Sequence, residues 1–289
     1  MAFGHQPRPN PDYEPQGAGG LNTGYGQRNQ YQQYRYANQT PYEQPRYQYA
    51  QPGAGAAFDA QVAYSYEEAR RVSVTKAYAE MTVGLLVTAA VAVIGQATGA
   101  YYAFLMHTGM LGMIGLCVAQ IALAVLLGAR VMTMRTSTAR ALFYGYAALM
   151  GFTLSSVFMV YSLGSIGVAL GITAAFFFVL TMFGMTTKFD MLKAGPILMV
   201  GLIVLIVSQL LLSFIPGVSG MTQVMCALGV VLFAGMTIYD AQSTRALFAQ
   251  YEAQGPEAVK RISILCALNL YLDFVNMFLY ILQLLGDRE

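Results

Sequence analysis

The stretch VKRISILCALNLYLDFVNMFLYILQLLG, residues 259–286, decides how the rest of the chain is read. It is long enough to cross a bilayer, which takes roughly 20 apolar residues as a helix. It also carries a carboxylate, Asp273, in its middle. An ionisable group at membrane depth costs about 3 kcal/mol on insertion scales, so such a residue marks a functional site by default. Asp273 is not isolated on its helix. Asn269, Asp273, Asn276, Tyr280 and Gln283 follow one another at steps of four, three, four and three residues. A helix carries residues at those spacings on one face. Lipid is a poor neighbour for so polar a face, so this helix is expected to look into protein or water.

Working outward, the whole chain of 289 residues is 56% apolar and 10% charged. Soluble domains average about 25% charged residues, so the composition is that of a membrane protein. A net charge of +2 gives no basis for a nucleic-acid partner. Cys117, Cys226 and Cys266 all lie in apolar runs without a CxxC spacing, and read as small buried hydrophobes rather than a disulfide or metal set. His5 and His107 stand far apart, and no metal-ligand cluster is evident. The first 60 residues have no apolar core, so no cleavable signal peptide is expected and the first spanning helix would direct insertion.

Residues 1–66 are rich in Gln, Tyr, Gly, Pro and Asn and hold ten of the chain's 20 tyrosines. Such a segment cannot bury enough surface to offset chain entropy and reads as a disordered tail. A passive solvated tail is the favoured reading over a self-associating or partner-binding one. Residues 67–289 form the membrane domain. A charged helical lead-in is expected from Tyr66 to Glu80, followed by seven apolar runs at about 80–101, 109–129, 139–161, 166–187, 195–215, 222–242 and 259–286. The basic residues alternate between the two sides. Arg70, Arg71 and Lys76 precede the first run; Arg130, Arg135 and Arg140 follow the second; Lys188 and Lys193 follow the fourth; Arg245, Lys260 and Arg261 follow the sixth. The connections around 102–108, 162–165 and 216–221 contain no Lys or Arg. That alternation predicts seven spans with the N-terminus in the cytoplasm. A last segment that re-entered rather than crossed would change the side of the C-terminus. With no Trp in the chain, the interfacial anchors are expected to be Tyr101, Tyr102 and Tyr161. Gly95/Gly99 and Gly167/Gly171 have the GxxxG spacing that permits close helix contact.

A second carboxylate, Asp240, lies in LFAGMTIYDAQSTRALF near the inner end of the sixth run. The sixth and seventh runs are joined across Gln254-Gly255-Pro256, where Gly stops one helix and Pro starts the next. From that turn Asp240 and Asp273 are almost equally far, roughly 25 Å along helices rising 1.5 Å per residue. Antiparallel packing would carry both carboxylates to the same height. Two such groups at membrane depth cannot both stay ionised cheaply, so the pair would titrate as a unit and form a proton-sensitive element, with a cation site when both are charged. Arg130, at the inner end of the second run, reads either as an interfacial topogenic charge or as a cation placed beside the aspartates.

IYDAQ (238–242) and LYLDFVNMFLYILQLLG (270–286) resemble the signature of the Bax-inhibitor family, the transmembrane Bax-inhibitor-motif and lifeguard proteins with their bacterial relatives. The resemblance extends through ARALFYGYAALMGFTLSSVF (139–158) and FGMTTKFDMLKAG (183–195) and covers roughly residues 75–289. It implies an all-α integral membrane protein whose seven transmembrane helices place six around the central C-terminal one. It also implies a pH-sensitive calcium leak in which Asp240 and Asp273 sense protons and contact calcium transiently, while Arg130 latches to an aspartate in the closed state. Some relatives carry an acidic residue further up the second helix, where this chain has Gln120, so a constriction depending on that charge is not carried over.

The function expected is a proton-gated cation leak in a bacterial cytoplasmic membrane, with the bilayer, calcium and protons as partners and no resident cofactor or metal. The alternative is a non-conducting regulator that binds other membrane proteins, such as a membrane protease. An intramembrane aspartyl protease would also use two carboxylates. Here, however, Tyr271-Leu272 precedes Asp273 where a Gly-x-Gly is needed, and no Pro-Ala-Leu motif follows. The chain is therefore not expected to be an enzyme.

Overall fold

The computed structural model describes the backbone of residues 55–212 and 219–286, and side chains within 74–212 and 223–286. Every regular element among these residues is helical. The long helices are α1 (Gly55–Ala97), α2 (Ala100–Arg130), α3 (Thr136–Leu154), α4 (Leu163–Thr186), α5 (Gly195–Leu212), α6 (Ser219–Tyr251) and α7 (Pro256–Leu285). Short 3-10 turns at Ser155–Met159, Met191–Ala194 and Glu252–Gln254 join or extend them. Among the described residues, seven helices are long and apolar enough to cross a membrane, in the seven places expected. This is a multi-pass integral membrane protein.

Two boundaries differ from expectation. Most of the tail, residues 1–54, lies outside the described residues, and α1 begins at Gly55 rather than near Tyr66. Beyond Pro52 the run GAAFDAQVA contains no proline and is rich in alanine, the strongest helix former. The connection expected around 102–108 is helical as well. The chain turns instead at Gly99, with φ 64°, and α2 starts at Ala100 and bends at Gly109 (φ 57°, ψ −145°). Only residues without a Cβ adopt such angles without strain, so the two glycines place the turn and the bend.

α7 is the most enclosed helix. Its apolar window is 72% buried, against 6% for α2 and for the segment containing α5. It packs along α6 and also touches α4, α3 and α2. From α1, the Thr88 hydroxyl bonds Tyr271 (2.7 Å) and donates to the Ala147 carbonyl of α3 (2.9 Å). Tyr271 is fully buried, with Phe143 and Tyr146 edge-on to its ring. One aromatic side chain thus ties α1, α3 and α7 together. The enclosure of α7 fits its sequence, which is apolar on most sides and polar along one stripe.

The GxxxG pairs make one close helix contact, at Gly95, and none at their other three positions. Gly99, Gly167 and Gly171 have open space where a Cβ would be, and only Gly95 of the four meets another helix, at Ser155. The tight approaches are at Gly151 of α3, against the Thr88 backbone, and at Gly184 of α4, against the Ile238 backbone of α6. Tyr101 and Tyr161 are buried inside the bundle and only Tyr102 is exposed, so two of the three expected anchors are packing residues. Tyr101 stacks edge-on with Phe152, whose ring provides the partner. Cys226 and Cys266 are buried as expected, while Cys117 is exposed on the loosely packed α2; none forms a disulfide.

Candidate functional site

The α6–α7 hairpin turns where the sequence places the stop and restart: Gly255 takes φ 94° and Pro256 occupies the first turn of α7. Because the two helices leave this turn antiparallel and in contact, Asp240 and Asp273 reach the same height. Their side chains adjoin each other, and the Asn269 side chain lies beside Asp240. Both are buried, at 6% and 2% exposure. Two adjoining carboxyl groups can hydrogen-bond to each other only when one of them carries a proton, since an ionised carboxylate offers acceptors alone. The second oxygen of Asp273, Oδ2, is buried without a partner among the described residues. A buried polar atom left unmatched is costly and points to a functional arrangement rather than a stabilising one.

The dyad stands in the wall of a cavity of about 710 Å³. Asn269, Asn276 and Tyr280 from the α7 stripe share that wall, whereas Gln283 does not. Gln283 instead accepts a hydrogen bond from the Cys226 thiol of α6 (3.3 Å), because the last turn of the stripe runs beyond the cavity into the packed end of the hairpin. Asn276 donates to the Leu272 carbonyl (2.7 Å), and the Tyr280 hydroxyl is hydrogen-bonded to Gln209 of α5. The opposite wall comes from α2 and α3. Gln120 of α2 donates to the Thr153 hydroxyl of α3 (2.7 Å) and lines the cavity, as does Tyr146. Tyr239 and Ser243 of α6 complete its polar lining. Tyr78 of α1 lies near enough to both aspartates to feel their charge, and its hydroxyl has no partner among the described residues.

Arg130 is apart from this group. It is the last residue of α2, its side chain is exposed, and among the described residues it makes no ion pair with Asp240 or Asp273. The latch contact is absent from this conformation, because α2 ends at the bundle's rim while the dyad lies inside. The other conspicuous motif residue, Gln242 of IYDAQ, is structural. Its side chain accepts from the Met191 amide (2.8 Å) and donates to the Phe189 carbonyl (2.7 Å), fastening the α4–α5 connection to α6.

Ser243 could have been found from the sequence, as it lies three residues after Asp240 on the same helix face. Gln120, Tyr146 and Tyr78 carried no such signal. They come from helices distant in sequence, and only packing brings them to the dyad.

Among the described residues no group of three His, Cys, Asp or Glu side chains could hold a metal ion. The oxygen-bearing groups around the dyad, two carboxyls with the Asn269 and Asn276 amides, are of the type that contacts hard cations such as calcium.

The arrangement defines a class: a seven-helix membrane protein with a buried carboxyl pair facing a cavity within the spans. The sequence profile of the family described as "Inhibitor of apoptosis-promoting Bax1" matches residues 70–289. Inner membrane protein YbhL of Escherichia coli (strain K12) is 37% identical over 212 residues, covering 73% of this chain and 90% of that protein. An uncharacterized protein of Borreliella burgdorferi is 35% identical over 214 residues, 74% of this chain and 91% of its own length. Another, of Rickettsia prowazekii, is 31% identical over 225 residues, 78% of this chain and 93% of its own length. The chain belongs to the Bax-inhibitor family.

Proposed function

We propose that the protein is a pH-sensitive cation leak, with calcium as the permeant ion, gated by the Asp240/Asp273 pair. The observation that carries this reading is the contact of two buried carboxyl groups in the wall of a large cavity between the spans. With a proton between them the pair closes on itself. When that proton leaves, two adjacent charges repel, and the oxygens become available to a divalent cation drawn to carboxylate and amide ligands. Protons and calcium then compete for one site, each shifting the equilibrium by its differential affinity for the two states. A tenfold change in proton activity supplies up to about 1.4 kcal/mol per coupled proton.

The latch role of Arg130 belongs to a second state, in which α2 moves inward. Its sparse packing and the bend at Gly109 leave α2 able to do so at low cost. The alternation of basic connections supports a cytoplasmic N-terminus, and the printed name of the Escherichia coli relative favours a bacterial inner membrane. The reading needs no enzymatic step.

The test is calcium flux into vesicles reconstituted with the full chain, measured across pH for the wild type, Asp240→Asn and Asp273→Asn. Each substitution keeps volume and hydrogen bonding while removing a titrating group, and should flatten the pH response. Unchanged flux and unchanged pH response in both variants would overturn gating by the pair, and wild-type flux no greater than that of protein-free vesicles would overturn the leak and favour a non-conducting regulator of other membrane proteins.

A further inference from the structure

A second pocket, independent of the carboxyl pair, opens at the basic end of the bundle. Its volume is about 910 Å³, and it lies between the beginnings of the spanning parts of α1, α3 and α7. Five cationic side chains line it (Lys76, Arg135, Arg140, Lys260 and Arg261) against two carboxylates, Glu80 and Glu257. Both carboxylates are already matched. Glu80 takes Arg140 (2.5 Å) and the Tyr144 hydroxyl (2.5 Å), and Glu257 takes Lys260 (2.8 Å) and the Thr136 hydroxyl (2.9 Å). Lys76 and Arg135 have no ion-pair partner among the described residues. The pocket therefore keeps an excess of positive charge.

Three further features point to an anion. Ser263, only 3% exposed, lines the pocket with its hydroxyl unpartnered among the described residues. Arg261 gives one terminal nitrogen to the Met132 carbonyl (2.8 Å), but its Nε is buried without a partner. The N-terminus of α3 opens here with Arg135 as its first flanking residue and no side-chain cap, so its leading N–H groups are free of a side-chain acceptor. Orphaned donors at a helix N-terminus, a buried hydroxyl and a guanidinium edge all seek one kind of ligand, an oxyanion.

We propose that this pocket binds a phosphate group. The two sources of that chemistry are the headgroup of an anionic phospholipid, which the pocket's position at the ends of three spans would meet directly, and a soluble phosphate.

The full chain in neutral detergent micelles is titrated with phosphatidylglycerol, with phosphatidylcholine, and separately with inorganic phosphate, following the thermal-unfolding midpoint. A saturable rise with phosphatidylglycerol beyond that with phosphatidylcholine supports the site with lipid as its source. A saturable rise with inorganic phosphate alone supports it with a soluble source. Arg135→Gln, an exposed residue whose replacement leaves packing intact, should weaken the apparent affinity about fivefold. Ser263→Ala, which removes a donor without changing charge, should weaken it by a similar factor, about fivefold. Lys193→Gln, a basic residue on the α4–α5 connection outside the pocket, should leave it unchanged. No preference for any phosphate ligand would overturn the proposal. So would a loss in Lys193→Gln equal to that in Arg135→Gln, or full retention in both pocket variants.

Discussion

Replacing Gly151 by Ala probes how α1 and α3 are held together, and its cost follows from the geometry. A Cβ at that position would lie 2.4 Å from the Thr88 carbonyl oxygen and 3.0 Å from its Cα, where ordinary contact begins at 3.4 Å. The obstructing atoms are backbone, so no side chain can swing aside, and the two helices must separate by about 1 Å. Overpacking of this kind costs about 1–3 kcal/mol. The separation also pulls Thr88 from the Ala147 carbonyl and from Tyr271, contacts of 2.9 and 2.7 Å. Interhelical hydrogen bonds in membranes are worth about 0.6 kcal/mol each, with an upper range near 1.7. Gly151→Ala should therefore destabilise by about 2–4 kcal/mol. Gly167→Ala and Gly171→Ala provide the contrast, since open space surrounds both positions. There the higher helix propensity of Ala should leave stability unchanged or raise it by up to about 1 kcal/mol. The assay is denaturant or thermal unfolding of the purified protein in micelles. A Gly151→Ala variant as stable as the wild type, or a Gly167→Ala variant equally damaged, would refute the assignment of the close contact.

Three other substitutions test the packing. Tyr271→Phe keeps the buried ring and loses only the bond to Thr88, so it should cost about 1 kcal/mol, read as a fall in unfolding midpoint; no change would mean the hydroxyl contributes nothing. Ser162→Ala removes the side chain that caps α4 by accepting from the Ser165 amide (3.2 Å), and should cost about 1 kcal/mol, whereas Ser162→Asp should retain stability by the same unfolding measurement. Glu80→Gln removes the charge partner of Arg140 and leaves Tyr144 a weaker acceptor; a loss of about 1–2 kcal/mol is expected, and it should diminish in Arg140→Gln/Glu80→Gln when the two are compared in a double-mutant cycle.

The seven spans, the polar stripe on α7 and the pairing of Asp240 with Asp273 were all legible in the linear sequence. Each rests on a local or periodic property. Span length follows from bilayer thickness, the stripe from the helical repeat, and the dyad from a Gly-Pro turn that makes two antiparallel helices count residues from a common origin. The turn between α1 and α2 was misplaced because the polar-looking segment near His107 is still helix-compatible, and two positive-φ glycines, not polarity, set the bend. Spacing motifs misled at Gly167 and Gly171, since GxxxG records only that a helix can be approached, while the neighbour's position decides whether it is.

What the sequence determined alone is therefore everything that depends on one helix or one hairpin: how many spans there are, which face of α7 is polar, and which carboxylates stand at equal height. What tertiary structure decided is everything that needs a third helix. Gln120 and Tyr146 close the cavity opposite the dyad, Gln283 drops out of it onto Cys226, and Arg130 ends outside on an exposed rim. The basic pocket likewise gathers residues from Lys76 to Ser263. The physical reason is that helix periodicity fixes directions only relative to a helix's own axis, whereas the rotation and distance between helices are set by close packing of small and large side chains. Asp273, the charge in the middle of residues 259–286, acquires its meaning from both: the helix repeat gives it a face, and four neighbouring helices give that face a cavity.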